Sequence, residues 1–258
     1  KIAFSQIKSG KVITGYKTSE KIKDKDFKLF VQWLYLMKSS NNATFSTYES
    51  FIRNNSDFPR IGRLQYLAEQ KIYLKNSSPK NIIRWFDDFP PVSGTGKLKL
   101  GEAYFDLKDI NNFKELIKEG WINADLSKSQ LRFYRKKFKS ILDSEDHIKR
   151  ADYLAWNKKY WDLKRMLVYL PSDFKALYNA RQILMSNSYG VDNAIAKVPD
   201  RFKKDIGLEY DRLKWRNRRG RLESSLQILY DNSNRSEEEL VRADLWRKQR
   251  ESIVRSLI

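Results

Sequence analysis

The sequence contains no cysteine and a single histidine among its 258 residues. Disulfide bonds and thiolate metal sites are therefore excluded, and a structural zinc site, which is built from several Cys and His ligands, is not expected. A chain without cysteine suits an oxidising and a reducing compartment equally, so this absence assigns no location. No motif in the sequence predicts a cofactor.

The sequence also lacks any apolar run of about 18 residues, the minimum for a membrane-spanning helix, so we predict no membrane span. No signal peptide is visible, and the chain does not begin with methionine. We therefore expect a processed or trimmed chain from which any export signal has been removed.

Acidic residues are fewer than basic ones: the sequence has 32 Asp and Glu against 51 Lys and Arg, which gives a formal net charge of +19. A surface this basic attracts polyanions such as nucleic acid, anionic lipid or an anionic cell-wall polymer. The alternative is a generally solvated basic surface, because much of the excess consists of scattered lysines. Composition leaves both interpretations open.

Helical periodicity, by contrast, is abundant. Apolar residues recur three or four positions apart in several segments, as in Phe113, Leu116, Ile117 and Trp121. Tryptophans recur at intervals of 36 residues (Trp85 to Trp121), 35 residues (Trp121 to Trp156) and 31 residues (Trp215 to Trp246). Intervals of this length are typical of stacked helix pairs. We predict an all-α fold, a right-handed superhelical solenoid of short helix pairs that is a divergent relative of the tetratricopeptide repeats.

Cap and turn residues divide this pattern into about fifteen helices of roughly 8–20 residues. Ser78-Pro79 opens one helix, and Pro90-Pro91 followed by Ser93-Gly94-Thr95-Gly96 makes the strongest break. Asp143 and Asp146 have the spacing of a capping box. The other predicted N-caps are Asp109, Ser127, Ser172 and Ser236, and the predicted helix ends or turns are Gly120, Gly190 and Gly220. No linker is evident, so we predict one domain covering residues 1–258.

Candidate catalytic groups are few. His147 is the only histidine, and its neighbours Asp146 and Arg150 have the spacing of an ion pair on a helix surface. Arg150 and Asp152 are placed to tie this helix to the next. The adjacent carboxylates Asp87-Asp88, Glu145-Asp146 and Glu237-Glu238-Glu239 point in different directions on a helix, and the last set fits a first helical turn after Ser236. We predict structural roles for all of them.

The densest basic cluster surrounds Trp215. Arginine binds phosphate or carboxylate through a planar fork, and an adjacent aromatic ring can stack on a base or a sugar. The alternative places Trp215 in the core and pairs the arginines with acids on neighbouring helices. We interpret the cluster as a possible contact for a glycan or another polyanion, and its members are Arg212, Lys214, Arg216, Arg218, Arg219 and Arg221.

Several segments, read in order, resemble one protein family. They are Phe51-Ile52-x-x-Asn55-x-x-Phe58-Pro59, Leu67-Ala68-Glu69, Trp85-Phe86 with Pro90-Pro91 and Gly94, Trp121, Asp146-His147-x-x-Arg150-x-Asp152-x-Leu154-x-Trp156, Ala180-Arg181, Val198-Pro199, Asp211-Arg212-x-x-Trp215 and Trp246. This series resembles the N-terminal superhelical region of the soluble periplasmic lytic transglycosylases, particularly their proteobacterial forms, and covers nearly the whole chain.

The resemblance implies a peptidoglycan-processing protein of the bacterial periplasm. In that family a ring or horseshoe of helices precedes a lysozyme-like domain, which cleaves between muramic acid and glucosamine units and forms a 1,6-anhydro product. One Glu followed by Ser acts there as acid and then base, and a Gly-(Leu/Val)-Met-Gln stretch comes later. The resemblance also implies structural roles for the matching residues Trp85, Pro90, Pro91, Trp121, Asp146, His147, Arg150, Asp152, Trp156, Pro199, Asp211 and Trp215.

The catalytic part of that family is not found in this sequence. Glu-Ser occurs at Glu49-Ser50, Glu223-Ser224 and Glu251-Ser252, and none is followed by the required stretch. We therefore predict a non-catalytic domain that positions glycan strands for its own C-terminal catalytic domain, with no catalytic residue in residues 1–258. The alternatives are an α-solenoid adaptor for an envelope protein partner and, less favoured for lack of a recognisable motif, a nucleic-acid-binding solenoid.

Overall fold

A computed structural model describes residues 1–73, 77–186 and 189–256 of the protein. Over these residues the fold is all-α, with sixteen α-helices and no β-strand, which confirms the predicted fold class. The helices are 6 to 14 residues long, slightly shorter than the sequence suggested. None of them has the length and apolar character needed to cross a lipid bilayer, in the part of the chain that the structure describes.

The chain forms two compact units, Lys1–Asp125 and Leu126–Ile258. The single domain expected over residues 1–258 stays a prediction, and each unit is described here by itself. Unit 1 contains α1 (Ile2–Lys8), α2 (Val12–Ser19), α3 (Lys25–Met37), α4 (Phe45–Asn54), α5 (Ile61–Lys71), α6 (Pro79–Asp88), α7 (Gly94–Asp106) and α8 (Ile110–Asn123).

Unit 2 continues with a second series of helices. Short 3-10 turns at Leu167–Tyr169 and Asp200–Phe202 separate some of them. The α-helices of this unit are α9 (Lys128–Lys137), α10 (Ser144–Trp156), α11 (Tyr160–Met166), α12 (Ser172–Leu184), α13 (Val191–Ala196), α14 (Ile206–Arg218), α15 (Leu222–Asp231) and α16 (Ala243–Arg255).

The recurring tryptophans lie on alternate helices from α6 to α16, except that α12 has none, and they are in the cores of their units. Trp85 and Trp121 are on α6 and α8 of unit 1, and both are fully buried. Trp156, Trp215 and Trp246 are on α10, α14 and α16 of unit 2, and all three are buried. The tryptophan spacing therefore reports the length of one helix pair.

Helices α7 and α8 of unit 1 approach each other closely at two glycines. A Cβ atom added at Gly120 of α8 would lie 2.5 Å from the backbone nitrogen of Leu98 on α7. A Cβ atom at Gly101 of α7 would lie 2.9 Å from Cγ1 of Ile117 on α8. Because these glycines carry no side chain, the two helices pack with their backbones nearly touching, an arrangement called here the α7–α8 seam.

The local cap signals predicted several helix starts correctly. Ser78 caps α6 by accepting the N–H of Asn81, with Pro79 in the first helical turn. Asp143 and Asp146 form the predicted capping box, in which each carboxylate accepts the other residue's backbone N–H at 3.0 Å. Ser127 caps α9 in the same way, with Gln130 as its partner.

Other boundary predictions were wrong. Gly120 lies inside α8 rather than at a helix end, because packing against Leu98 requires the absence of a side chain there. Ser172 is the first residue of α12, and Pro171 occupies the cap position. The stretch from Glu237 to Glu239 makes turns rather than a helix, although Ser236 still accepts the N–H of Glu239 at 3.2 Å.

Candidate functional site

A buried arginine organises the middle of unit 2. Arg181 of α12 is completely buried and donates through Nε to Asp211 of α14 and through Nη1 to Asp152 of α10, each at 2.8 Å. Its guanidinium lies 5.0 Å from the ring centroid of Trp156 on α10. Gly207 of α14 leaves room for it, since a Cβ atom there would lie 2.3 Å from the guanidinium carbon. The network fixes three helices around one cation.

The protonation states of this network follow from its burial. Burial raises the pKa of Asp211 to about 6, although Arg181 acts in the opposite direction. Burial also raises the pKa of Asp152, again against the influence of Arg181. Burial lowers the pKa of Arg181, but Asp211 and Asp152 more than offset it, so its pKa is raised and the guanidinium stays charged.

Asp211 also lines a cavity of about 240 Å³ at the surface of this network, called here the lysine pocket. The turn after α10 contributes Lys158, α14 contributes Lys214 and Arg218, and α11 contributes Trp161. Lys158 has a φ of 57°, in the left-handed region where glycine usually ends a helix. The backbone is therefore locally strained at Lys158, the residue that places a lysine side chain at the cavity.

The two lysines line the same cavity and influence each other electrostatically. Burial lowers the pKa of Lys214 to about 8, and the neighbouring Lys158 lowers it further in the same direction. Asp211, the acid of the pocket, is already bound to Arg181. Within the described residues no carboxylate forms a salt bridge with Lys158 or Lys214. The pocket thus concentrates positive charge that its own acid does not neutralise.

Trp161 forms the outer wall of the lysine pocket. Its side chain is 65% exposed, whereas Leu163, Met166 and Leu167 on the same segment are buried. An indole this exposed gains little from packing, and much of its surface is accessible to a ligand. Its edge contacts Tyr160, with ring centroids 5.0 Å apart, which orients it on α11.

Arg218, a predicted polyanion contact, has a structural partner. Its Nη atoms donate to the carbonyl oxygens of Leu184, Met185 and Ser186 at 3.1, 3.3 and 2.9 Å. These carbonyls lie at the C-terminus of α12, where a cation is favourable. Arg218 therefore caps α12 and contributes its charge to the lysine pocket from a fixed position.

The other arginines around Trp215 do not enter that pocket. Arg216 donates to the carbonyl of Ser224 at 3.1 Å, and burial together with Arg212 and Arg221 lowers its pKa. Arg219 and Arg221 lie 5.5 and 4.8 Å from the ring centroid of Trp215, which is buried. The structure thus separates Lys214 and Arg218 from Arg212, Arg216, Arg219 and Arg221.

His147 lies in the capped first turn of α10. It is half-buried, its ring centroid is 6.3 Å from that of Tyr169, and burial followed by Arg135 lowers its pKa. Asp146 and Arg150 are both buried, so the expectation of a pair on the helix surface was wrong about their exposure. Asp152 does tie α10 to α12, through Arg181.

The remaining residues of the family-like series serve packing or turns. Trp85 packs against Phe45 and Phe89, with ring centroids 5.3 and 4.4 Å away. Pro90 follows α6, and its carbonyl accepts from Gln65 at 2.5 Å. The other two prolines are Pro91, which precedes α7, and Pro199, which precedes the 3-10 turn Asp200–Phe202.

Sequence reasoning missed Trp161 and Lys158. Trp161 follows Trp156 by only five residues and falls outside the spacing of about one helix pair that the buried tryptophans keep. This departure from the repeat was the available signal. The role of Lys158 depends on its left-handed backbone conformation and on its proximity to Lys214 of α14, more than fifty residues later in the chain. No local sequence pattern reveals either feature.

The charge coupling in the lysine pocket gives a testable titration. We expect K158Q to raise the pKa of Lys214 above about 8, because one of the causes that lowers it is removed while its burial remains. Asp211 and Arg218, the other charged groups facing Lys214, are unchanged. Lysine-selective ¹³C NMR titration measures the shift, with K175Q at an exposed site of α12 as control. An unchanged Lys214 pKa in K158Q would contradict the electrostatic coupling of the two lysines.

Among the described residues no group of three or more His, Cys, Asp or Glu side chains is arranged to hold a metal ion. Comparison of the chain with protein families, with characterised proteins and with solved structures finds no match.

Proposed function

We propose that this chain is the non-catalytic superhelical domain of a peptidoglycan lytic transglycosylase, and that it positions glycan strands for a C-terminal catalytic domain. The parent activity would be the non-hydrolytic cleavage of the bond between N-acetylmuramic acid and N-acetylglucosamine, with 1,6-anhydro-muramyl products. The parent protein would act in the bacterial periplasm during cell-wall turnover. The resemblance of the ordered motifs supports this proposal.

The proposal includes a right-handed solenoid of stacked helix pairs, related to tetratricopeptide repeats. Contacts between helices support the stacking. Sequential helices pack together, as α1 does with α2 and α14 with α15. Alternate helices also pack together, in the series α1, α3, α5 and α7 of unit 1 and α10, α12, α14 and α16 of unit 2. This combination of neighbour and next-neighbour contacts is typical of helix-pair repeats.

The observation that carries the glycan-binding part is the exposed indole of Trp161 beside the lysine pocket. Peptidoglycan offers sugar faces on which an aromatic ring stacks. Its peptides, and the lactyl groups that carry no peptide, offer carboxylates that ammonium groups bind. An aromatic wall and uncompensated lysines in one cavity suit that combination.

Co-sedimentation with purified peptidoglycan sacculi tests the proposal. We expect the chain to pellet with sacculi at about 50 mM NaCl and to lose most of this binding by about 300 mM NaCl, because salt screening reduces the range of electrostatic attraction. Chitin, a neutral glycan, is the matched control and should retain much less protein. Absence of binding to sacculi at low salt would overturn the proposal. If the chain captures one envelope protein in stoichiometric amount and shows no affinity for glycan, the result would favour an adaptor function instead.

A further inference from the structure

A second basic cavity lies farther along the segment of α11 than the lysine pocket does. It encloses about 190 Å³ between α9 and the segment that follows α11, and is called here the arginine pocket. Lys128 and Arg132 of α9 and Lys164 of α11 line it, and Val168 and Tyr169 form its apolar part. Val168 is 69% exposed, so this wall also faces solvent.

Trp161 and Lys164 connect the two pockets. Trp161 lines the lysine pocket and Lys164 lines the arginine pocket, and the ammonium of Lys164 is 5.4 Å from the indole ring centroid. Three residues of helix separate them, an axial rise of about 5 Å. The exposed indole therefore stands between two clusters of cations on one continuous surface of unit 2.

Each pocket is too small to enclose a ligand by itself. Sites for drug-sized molecules have volumes of roughly 300–1,000 Å³, and both cavities fall below that range. From Trp161 to Val168 the segment advances by about 10 Å, a distance on the scale of a disaccharide rather than of one sugar ring. Two small pockets at this spacing suit an extended chain that places one substituent in each.

The charges of the two pockets indicate what those substituents are. Lys158 and Lys214 have no carboxylate partner among the described residues, and the same holds for Lys128 and Arg132. Arg165, at the edge of the arginine pocket, is already paired with Asp162. Lys214 is partly buried, whereas Lys158, Lys128 and Arg132 are exposed. Cations without an acidic partner attract carboxylates, most strongly at low ionic strength.

We propose that the two pockets and Trp161 form one binding groove for a carboxylate-bearing glycan, in which a sugar ring stacks on Trp161 and the flanking carboxylates enter the lysine and arginine pockets. This inference rests on the proposed function and specifies its ligand groups. The aromatic platform selects a ring with an apolar face, and the cations on both sides select substituents of negative charge.

The experiment measures binding of a soluble tetrasaccharide-peptide fragment of peptidoglycan to the whole chain by calorimetry. The same fragment with its carboxyl groups amidated is the matched ligand. We expect amidation to weaken binding at least about tenfold at low salt, because both pockets lose their charged partners. We expect W161A to weaken binding by about 5- to 100-fold, the range for loss of one aromatic stacking contact.

Charge variants address each pocket separately. K214Q in the lysine pocket and R132Q in the arginine pocket should each weaken binding at least about threefold, and each should reduce the effect of amidation. Y230A and K175Q are the controls, since Tyr230 is 77% exposed on α15 and Lys175 is exposed on α12, and both lie outside the two pockets. Circular dichroism verifies that every variant is folded.

The outcomes separate the inference from the function on which it rests. If the wild-type chain binds and the variants W161A, K214Q and R132Q weaken binding no more than the control variants do, the groove is overturned. Peptidoglycan binding itself would then stay intact. Equal affinity for the native and amidated fragments would overturn carboxylate recognition. If the wild-type chain binds neither the sacculi nor the fragment, the proposed function and the groove are overturned together. Exclusive binding of a single-stranded oligonucleotide would have the same consequence.

Discussion

R181M is expected to destabilise unit 2 by about 3–5 kcal/mol, the cost of breaking a buried ion pair by removing one partner. Arg181 is the cation that compensates Asp152 and Asp211, and it is completely buried. A methionine fills much of the same space but leaves buried Asp211 and half-buried Asp152 without a positive partner. Since a typical domain has about 5–15 kcal/mol of stability, this is a large share of the total. Urea unfolding followed by circular dichroism measures it.

The control for this variant is R201M. Arg201 pairs with Asp173 at 2.6 Å, but its side chain is 61% exposed and that of Asp173 is 44% exposed. Exposed pairs contribute about 0–1 kcal/mol, so R201M should change the free energy of unfolding by no more than that. If R181M and R201M cost the same, the buried network does not have the role assigned to it.

The pH dependence of R181M provides a second check. Without Arg181 the remaining burial raises the folded-state pKa values of Asp211 and Asp152 above their unfolded values. A carboxyl group with a raised folded-state pKa binds its proton more tightly in the folded state, so stability falls as pH rises through that pKa. The loss caused by R181M should therefore be smaller near pH 5 than near pH 8.

G120A is expected to destabilise unit 1 by about 1–3 kcal/mol or more, the cost of overpacking a well-packed contact. The added Cβ atom would lie 2.5 Å from the backbone nitrogen and 2.8 Å from Cα of Leu98. Backbone atoms cannot rotate away as a side chain can, so the α7–α8 seam has to open. Alanine's better helix propensity offsets about 1 kcal/mol at most.

G62A is the matched control and should change stability in the opposite direction. Gly62 lies in α5, and a Cβ atom there would meet nothing within 4 Å. Alanine at such a site reduces the conformational freedom of the unfolded chain, and it stabilises by about 0.4–1 kcal/mol. Thermal unfolding of both variants tests the seam, and a stabilising G120A would show that α7 and α8 are not in backbone contact.

Sequence reasoning succeeded where the cause is local. The capping box of Asp143 and Asp146 involves residues three apart, and Ser78-Pro79 acts within one helical turn. The all-α class follows from repeated apolar spacing, which the chain itself carries. Burial of Trp85 follows from the same pattern, because apolar spacing of three and four identifies the face that turns inward.

It failed where the cause is a partner distant in sequence. Glycine inside a helix is unfavourable, so Gly120 was assigned to a helix end, and only the approach of Leu98 explains its place. The capping role of Arg218 was not predicted, because its partners are carbonyls more than thirty residues earlier in the chain. Arg181 entered only as part of the family-like series, and its two acids could not be assigned from spacing.

The α7–α8 seam also has a mechanical consequence. Between two helices that pack through side chains, small rotamer changes let one helix slide or tilt against the other. At Gly120 no side chain stands between the helices, because the nearest atoms of α7 are the backbone nitrogen and Cα of Leu98. We therefore expect α7 and α8 to move together as one rigid pair, because packed backbone atoms cannot adjust as side chains do.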